Sequence, residues 1–306
     1  MKINLIHKKL SKSLLLATAI SVISFSSVYA TDFIAENGDQ ASFTNRTETS
    51  GNILVESNAE MAFSNSTLGN AEGGRFTMTM YGNRFDLSST TLYVDNCTNF
   101  SAYAEYVFYS GKFYADNAVS NIAVLRMSGN SVFKAPSFAA KTIEMGGSSY
   151  LETRLNGGQL MMEDNAYWKS IGTSSVSNLS EYGNGTIELV MTSSSDALRI
   201  NQFDNYGGST DFQINFSNEL IEEAIANLGG TFGFHMDNVI VISSATEGNI
   251  NYIVNDSNGT YTWDVRDSGG GNFDVYNFTL VIPEPSTYAM IFGLLALGLA
   301  IYRRRK

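Results

Sequence analysis

Runs of alternating apolar and polar residues recur through the chain and constrain its fold more than any other feature. One example is Arg75-Phe76-Thr77-Met78-Thr79-Met80-Tyr81, whose period of two is typical of a half-buried β-strand. Turn-forming residues interrupt such runs about every eight to twelve residues. Pro136 is the only proline between residues 31 and 282. The pattern predicts an all-β fold.

An imperfect repeat within residues 31–170 narrows the architecture. Each copy has an apolar strand, then Asn or a small residue, then a further apolar residue. Seven copies align on Asn58, Asn83, Asn96, Asn117, Asn130, Ser148 and Asn165. Their irregular spacing centres on one coil of a parallel β-helix, whose turns suit Asn and whose coils stabilise one another. We therefore predict a right-handed parallel β-helix-like body, with a β-sandwich as the alternative. The pattern resembles the β-helical stalks of autotransporter-like surface proteins.

The repeat fades after about residue 170, and residues 171–282 are predicted to be a second β-rich part of the body. A short helix is expected near 218–228, because Leu220, Ala224 and Leu228 share one face and Gly229 follows. This helix could cap the end of the coils. The run Phe273 to Ile282 is expected to pair with Tyr261 to Val265 as a hairpin.

Residues 1–30 have the order of a secretory signal peptide. Lys2, Lys8, Lys9 and Lys12 precede an apolar stretch from Leu14 to Ile23, and the segment ends in Val28-Tyr29-Ala30. That apolar stretch is well short of the ~20 residues that span a bilayer. We expect a signal peptidase to cleave after Ala30, so that the mature chain begins at Thr31.

The other end is predicted to be a sorting and membrane-anchoring tail, residues 283–306. The uncharged segment from Tyr288 to Tyr302 is followed at once by the basic residues Arg303, Arg304, Arg305 and Lys306. A helix of about fifteen residues rises roughly 22 Å, and interfacial tyrosines with snorkelling arginines extend its span. The sequence predicts one transmembrane helix, with the basic cluster on the cytoplasmic side.

Pro283, Glu284 and Pro285, followed by Ser286-Thr287, one apolar segment and a terminal Arg cluster, resemble the PEP-CTERM sorting signal. That signal is also known as the C-terminal domain of ice-binding proteins, a label that implies no ice binding. The resemblance implies that an exosortase-type enzyme reads Pro283 to Pro285 and passes the body to the cell surface or extracellular matrix. It also implies an association with exopolysaccharide and biofilm systems. Two prolines keep this segment extended, as a processing enzyme requires.

The body between the two ends is strongly acidic. Residues 31–285 hold 11 of the 19 Lys and Arg residues and all 30 Asp and Glu residues, a formal charge of −19. Nucleic acid is excluded as a partner, because phosphate binding needs clustered cations. Cys97 is the only cysteine, so no internal disulfide or thiolate cluster can form. A half-buried strand cysteine is expected, with a disulfide-linked dimer as the alternative.

No catalytic constellation is evident, and we predict no enzyme activity, cofactor or metal. His235, the only histidine of the body, stands in an apolar run and is interpreted as a strand residue. Segments 255–260 and 237–238 offer oxygen ligands for calcium but lack the EF-hand order. The aromatic residues Trp168, Trp263, Tyr261 and Tyr276 could stack on sugars, although strand packing is the simpler interpretation. The basic residues of the body stand singly, which argues against a polysaccharide lyase.

These observations predict an exported surface or matrix protein with a structural or adhesive role. The alternative is a carbohydrate-active enzyme or lectin-like module that acts on exopolysaccharide. The two hypotheses differ in whether one groove gathers acidic, basic and aromatic side chains.

Overall fold

The computed structural model describes residues 31–220, 222, 234–236, 239–244, 249–254, 260–269 and 272–281. They form 25 β-strands: β1 (Thr31–Ala35), β2 (Gln40–Thr44), β3 (Thr47–Glu48), β4 (Gly51–Val55), β5 (Glu60–Ser64), β6 (Thr67–Leu68), β7 (Phe76–Met80), β8 (Arg84–Ser88), β9 (Thr91–Asn99), β10 (Glu105–Tyr109), β11 (Lys112–Ala115), β12 (Val119–Ser128), β13 (Val132–Met145), β14 (Tyr150–Leu155), β15 (Gln159–Met162), β16 (Tyr167–Ile171), β17 (Ser174–Glu181), β18 (Thr186–Met191), β19 (Leu198–Asn205), β20 (Ser209–Phe216), β21 (Phe234–Met236), β22 (Ile240–Ile242), β23 (Asn249–Val254), β24 (Thr260–Gly269) and β25 (Asn272–Val281).

The strands stack in three columns, which we call sheets A, B and C. Sheet A begins with β1, β4 and β7, sheet B with β2, β5, β8 and β10, and sheet C with β3, β6, β9 and β11. From β9 onward the longer strands bend round a corner and join two sheets; β13, for example, pairs with β11 and with β15. All pairings among β1 to β20 are parallel, as are those of β19 with β22 and of β20 with β23, so the chain is a β-solenoid of about nine coils. The all-β and β-helix predictions are confirmed, and the right-handed sense stays a prediction.

Alternation along each strand places one set of side chains inside the solenoid. In β7, Phe76, Met78 and Met80 are buried and the two threonines between them point outward. Inside, the rings of Phe108, Phe113 and Phe133 stack across coils, with Phe113 5.9 Å from Phe108 and 5.2 Å from Phe133. Each such buried side chain contributes roughly 1.5–3 kcal/mol, so the core stabilises the coils without any disulfide.

The corner between sheets B and C is made in the same way in seven successive coils. One residue there has a positive φ, between 46° and 68°, in each coil: Asn45, Asn65, Ser89, Ser110, Gly129, Gly147 and Asp164. Asn, Asp and Gly adopt this left-handed conformation at the least expense. Small residues follow the corner and point inward; Ser66, Thr90, Ser131 and Ser149 are all buried. A recurrent tight turn therefore keeps successive coils in register.

Coil length varies, from 17 residues between the paired Tyr150 and Tyr167 to 42 between the paired Leu198 and Ile240. The seven positions of the sequence repeat do not share one corner. Asn130, Ser148 and Asn165 lie between sheets B and C, whereas Asn58 and Asn83 lie between sheets A and B. Asn96 lies within β9 and Asn117 follows β11. The sequence repeat therefore aligned residues that occupy different corners of the solenoid.

The stacking continues across residue 170, where the sequence repeat fades. Strand β16 pairs with β18, β18 with β20 and β20 with β23, all parallel. Residues 218–220 and 222 of the predicted helix are helical, and the Ser217 Oγ accepts a hydrogen bond from the Leu220 backbone N–H at 3.2 Å, as an N-cap does. The rest of that segment lies outside the described residues.

Antiparallel strands end the solenoid. Strand β25 pairs with β24 in the predicted hairpin, with Val265 opposite Val275, and this prediction is confirmed. On its other side β25 pairs with β21 and β22. His235 lies in β21, opposite Thr279, as the interpretation of a strand histidine required.

Removing one ring from the core should destabilise several coils together. We expect Phe113→Ala to lower the free energy of unfolding by about 3–5 kcal/mol, because the cavity lies between two stacked rings. Tyr109→Ala in the neighbouring strand, where the side chain is exposed, should change it by less than about 0.5 kcal/mol. Guanidinium unfolding of both variants measures the difference, and equal effects would contradict a continuous core.

Candidate ligand-binding surfaces

Charged side chains on the outer face of sheet B form a chain of ion pairs across four coils. Arg84 contacts Asp86 at 2.9 Å and Glu105 at 3.2 Å; Arg126 contacts Glu105 and, at 2.7 Å, Glu144. All five side chains are partly exposed, so each pair contributes only about 0–1 kcal/mol. The network neutralises the cations, and it leaves no basic patch on this face for an anionic ligand.

Sheet C carries a second alternating row. Lys134 contacts Glu152 at 2.9 Å, and Lys169 lies 3.9 Å from Glu188. The Tyr150 hydroxyl donates a hydrogen bond to Glu152 at 2.7 Å, and the Tyr167 hydroxyl donates one to Glu188 at 2.5 Å. Burial and these bonds to carboxylates raise the pKa of both tyrosines, which therefore remain neutral donors. Lys134 and Lys169, which stand singly in the sequence, are thus brought into one row, where each is paired with an acid.

The ring faces of the tyrosines in sheet C contact other tyrosine rings and cations. Tyr93 and Tyr114 stack with ring centroids 4.7 Å apart, and Arg75 lies over Tyr93. Tyr150 stacks on Tyr167 at 5.4 Å, and Lys134 lies over Tyr150. Aromatic and cation–π contacts of this kind stabilise neighbouring coils. They leave little ring face on sheet C for a ligand.

The corner between sheets A and B presents aromatic rings to solvent. Tyr81 and Phe100 occupy this corner in successive coils and stack at 4.8 Å with an interplanar angle of 10°. The exposed fractions of the two side chains are 44% and 58%. A shallow depression of about 310 Å³ adjoins Tyr81, lined also by Asn37, Leu54, Glu56 and Ser57. This surface combines an open aromatic ring with polar side chains.

Local packing fixes Tyr81 in this position. The next residue, Gly82, is buried, and a Cβ there would lie 2.5 Å from the Ala59 carbonyl oxygen. The Tyr81 backbone N–H donates to the Val55 carbonyl at 2.7 Å, so the corner rests directly on the preceding coil. Across the depression, the Glu56 carboxylate accepts a hydrogen bond from the Asn37 backbone N–H at 3.1 Å.

Several candidates of the sequence analysis have structural rather than binding roles. Trp168 is fully buried, and its Nε1 donates to the Thr153 carbonyl at 3.1 Å, so the suggestion of a sugar-stacking ring is wrong for this residue. The side chains of Trp263, Tyr261 and Tyr276 lie outside what the structure describes. So do the two calcium segments, apart from Thr260 in β24. Among the described residues no group of three His, Cys, Asp or Glu could hold a metal ion.

Cys97 is more buried than predicted. It points into the core from β9, with its Sγ 3.6 Å from the Tyr106 hydroxyl. Burial raises the pKa of the thiol to about 11. In the folded protein this thiol is therefore protonated and shielded from a second chain.

Glu181 is a buried carboxylate at the last position of β17, next to the corner that follows. Its Oε1 accepts hydrogen bonds from the backbone N–H groups of Gly183 and Gly185, each at 3.0 Å, and its Oε2 has no partner within the described part of the chain. Burial outweighs these two bonds and raises its pKa to about 7. The residue shapes the turn and introduces a group that titrates near neutrality.

The sorting residues of the tail lie outside the described residues, as do Ala30 and the signal segment. This applies to Pro283, Glu284 and Pro285 and to the cluster Arg303, Arg304, Arg305 and Lys306. Within the described ranges, no helix is both long and apolar enough to cross a membrane.

A family model described as the PEP-CTERM protein-sorting motif matches residues 281–306, beginning at the last residue of β25. The chain carries a PEP-CTERM sorting motif. The motif implies export, processing by an exosortase and association with the membrane through the C-terminal signal. A search of curated proteins found no match to the chain. The PEP-CTERM motif therefore indicates how the protein is transported. The function of the solenoid must be argued from its own surface.

Oxidation or alkylation of Cys97 should require unfolding. We expect the native protein to react with a thiol reagent at least about a hundred-fold more slowly than the denatured protein, because the thiolate is scarce and enclosed. Time-resolved labelling with and without denaturant measures the ratio. Rapid labelling of the native chain, or a covalent dimer in non-reducing electrophoresis, would contradict the buried position.

Glu181 should make stability depend on pH. Its pKa is higher in the folded than in the unfolded chain, so the folded state is penalised once the carboxylate ionises. Relative to Glu181→Gln, the free energy of unfolding should fall by up to about 3 kcal/mol as the pH rises from 4.5 to about 7. Denaturant unfolding of both proteins across this range measures the difference; a constant difference would contradict the assignment.

Proposed function

We propose that this protein is a structural or adhesive component of the cell surface or extracellular matrix, released from its PEP-CTERM tail by an exosortase. The observation that carries this proposal is the combination of the sorting motif with a β-solenoid of about nine coils. About nine strand spacings of ~4.8 Å make a rod of roughly 43 Å. Such a body presents its outer side chains in long, regular rows.

The chemistry of the described surface supports a non-catalytic role. Glu105 and Glu144 of sheet B and Glu152 and Glu188 of sheet C are engaged with cations or tyrosine hydroxyls. Asp196 is likewise engaged, and three hydrogen bonds from Thr192 and Ser193 hold its pKa below its usual value despite some burial. A general base needs a free carboxylate or imidazole within reach of a substrate, and these groups stabilise coils instead.

The alternative is a lectin-like or carbohydrate-active module that acts on exopolysaccharide. The exposed pair of Tyr81 and Phe100 beside a polar depression favours the lectin-like form of this alternative. Binding of a matrix polysaccharide would also be the means by which an adhesive protein works. The two hypotheses therefore merge at this corner.

Alanines in place of Pro283, Glu284 and Pro285 test the sorting step. If an exosortase reads these residues, the variant should keep its tail and remain in the inner-membrane fraction, whereas the native protein loses the tail and reaches the surface or matrix. Intact mass and fractionation from the native host measure both outcomes.

The matched control for this test is Ser286→Ala with Thr287→Ala, which leaves the two prolines and Glu284 in place. Normal maturation of the Pro283–Pro285 variant would refute the sorting role. A native protein that keeps its tail in the inner membrane would refute the surface role.

A further inference from the structure

The depression beside Tyr81 has one aromatic wall and one polar wall. Phe100, from the following coil, covers one ring face of Tyr81. The depression instead involves residues of the two preceding coils, Asn37 from the first and Leu54, Glu56 and Ser57 from the second. The uncovered ring face of Tyr81 is therefore the one that borders the depression.

The polar wall of the depression offers three kinds of hydrogen-bonding group, a carboxylate, an amide and a hydroxyl. Glu56 supplies a carboxylate that accepts hydrogen bonds, the exposed Asn37 an amide that donates and accepts, and the exposed Ser57 a hydroxyl that does both. The Glu56 carboxylate accepts a hydrogen bond from the Asn37 backbone N–H at 3.1 Å, and this bond keeps the carboxylate in place. Preorganised groups of this kind lose less entropy when a ligand binds.

These features select a class of ligand. A hexose ring has an apolar C–H face that suits an aromatic ring and an edge of hydroxyl groups that suits carboxylate, amide and hydroxyl partners. A body with a formal charge of −19 and a carboxylate in the site disfavours a sugar acid. About 310 Å³ accommodates a single sugar unit, at the lower limit of known ligand pockets.

We propose that the corner formed by Asn37, Glu56, Ser57 and Tyr81 is a binding subsite for a neutral hexose unit of an extracellular polysaccharide. This inference rests on the proposed surface or matrix role and specifies the ligand that the adhesive function recognises. Tyr81 stacks on the sugar ring, Glu56 and Asn37 hold its hydroxyls, and Phe100 supports Tyr81 from behind. The polysaccharide continues beyond the shallow subsite into solvent.

The experiment titrates the purified full chain with cellohexaose, mannohexaose and hexagalacturonate, observed by saturation-transfer NMR and tyrosine fluorescence. We expect at least one of the two neutral hexasaccharides to bind, and hexagalacturonate to bind at least about ten-fold more weakly. Tyr81→Ala should weaken the neutral complex at least about ten-fold, while Tyr81→Phe, which keeps the ring, should stay within about two-fold.

The solenoid offers a matched control in Tyr206→Ala. Tyr206 stacks on Tyr182 at 4.8 Å and 10°, the same geometry as the pair at the proposed subsite, but it lies at the corner between sheets B and C. Its substitution should leave binding unchanged. Unfolding midpoints of all variants show that each one is folded.

Three outcomes would overturn the subsite: no binding of either neutral probe at millimolar concentration, equal losses in Tyr81→Ala and Tyr206→Ala, or preferential binding of hexagalacturonate. Fractionation of the same native protein separates this failure from failure of the proposed function. A mature chain at the surface that binds no neutral sugar would leave the structural role standing. A chain that binds sugar but stays in the inner membrane would support the subsite and refute the surface role.

Discussion

Parallel hydrogen bonding between strands one coil apart is the constraint on which the rest of this structure depends. Once Thr31 pairs with Gly51, and Gly51 with Phe76, every side chain has a neighbour of fixed direction in the next coil. Inward positions must then be apolar or small, because each lies over another buried group. Outward positions form rows, and charges or rings in a row must suit those above and below them.

The rows explain how an acidic chain with few cations remains stable. Glu105 lies between Arg84 and Arg126, and Glu152 lies beside Lys134 and accepts a hydrogen bond from the Tyr150 hydroxyl. Alternation of sign across coils removes like-charge repulsion where strands are closest. Other acids lie on strands as well as at corners, and water screens those that are exposed. The cations of the two rows, Arg84, Arg126, Lys134 and Lys169, join neighbouring coils through the acids beside them.

Much of the fold could be predicted from the sequence because period-two alternation and Asn-rich turns are local signals. The terminal hairpin was predictable for the same reason, since its strands and its glycine turn are contiguous. Coil boundaries were not, because coils of 17 to 42 residues turn at three corners and Asn occurs at all of them. Trp168 could not be distinguished from a surface ring without knowing which way β16 faces. Tyr81, Glu56 and Asn37 belong to three different coils, and only the strand register brings them together; the one local signal was the Tyr-Gly-Asn turn at residues 81–83.

The antiparallel end of the solenoid has a mechanical consequence. Strand β25 is held on one side by β24 and on the other by β21 and β22, and the sorting motif begins at its last residue. Until an exosortase releases the chain, tension on a body held by its tail would act along β25 and load the hydrogen bonds of both its edges at once, in shear. Pulling on the body would thus meet its firmest resistance where the tether joins, and the coils would not peel away one at a time from that end.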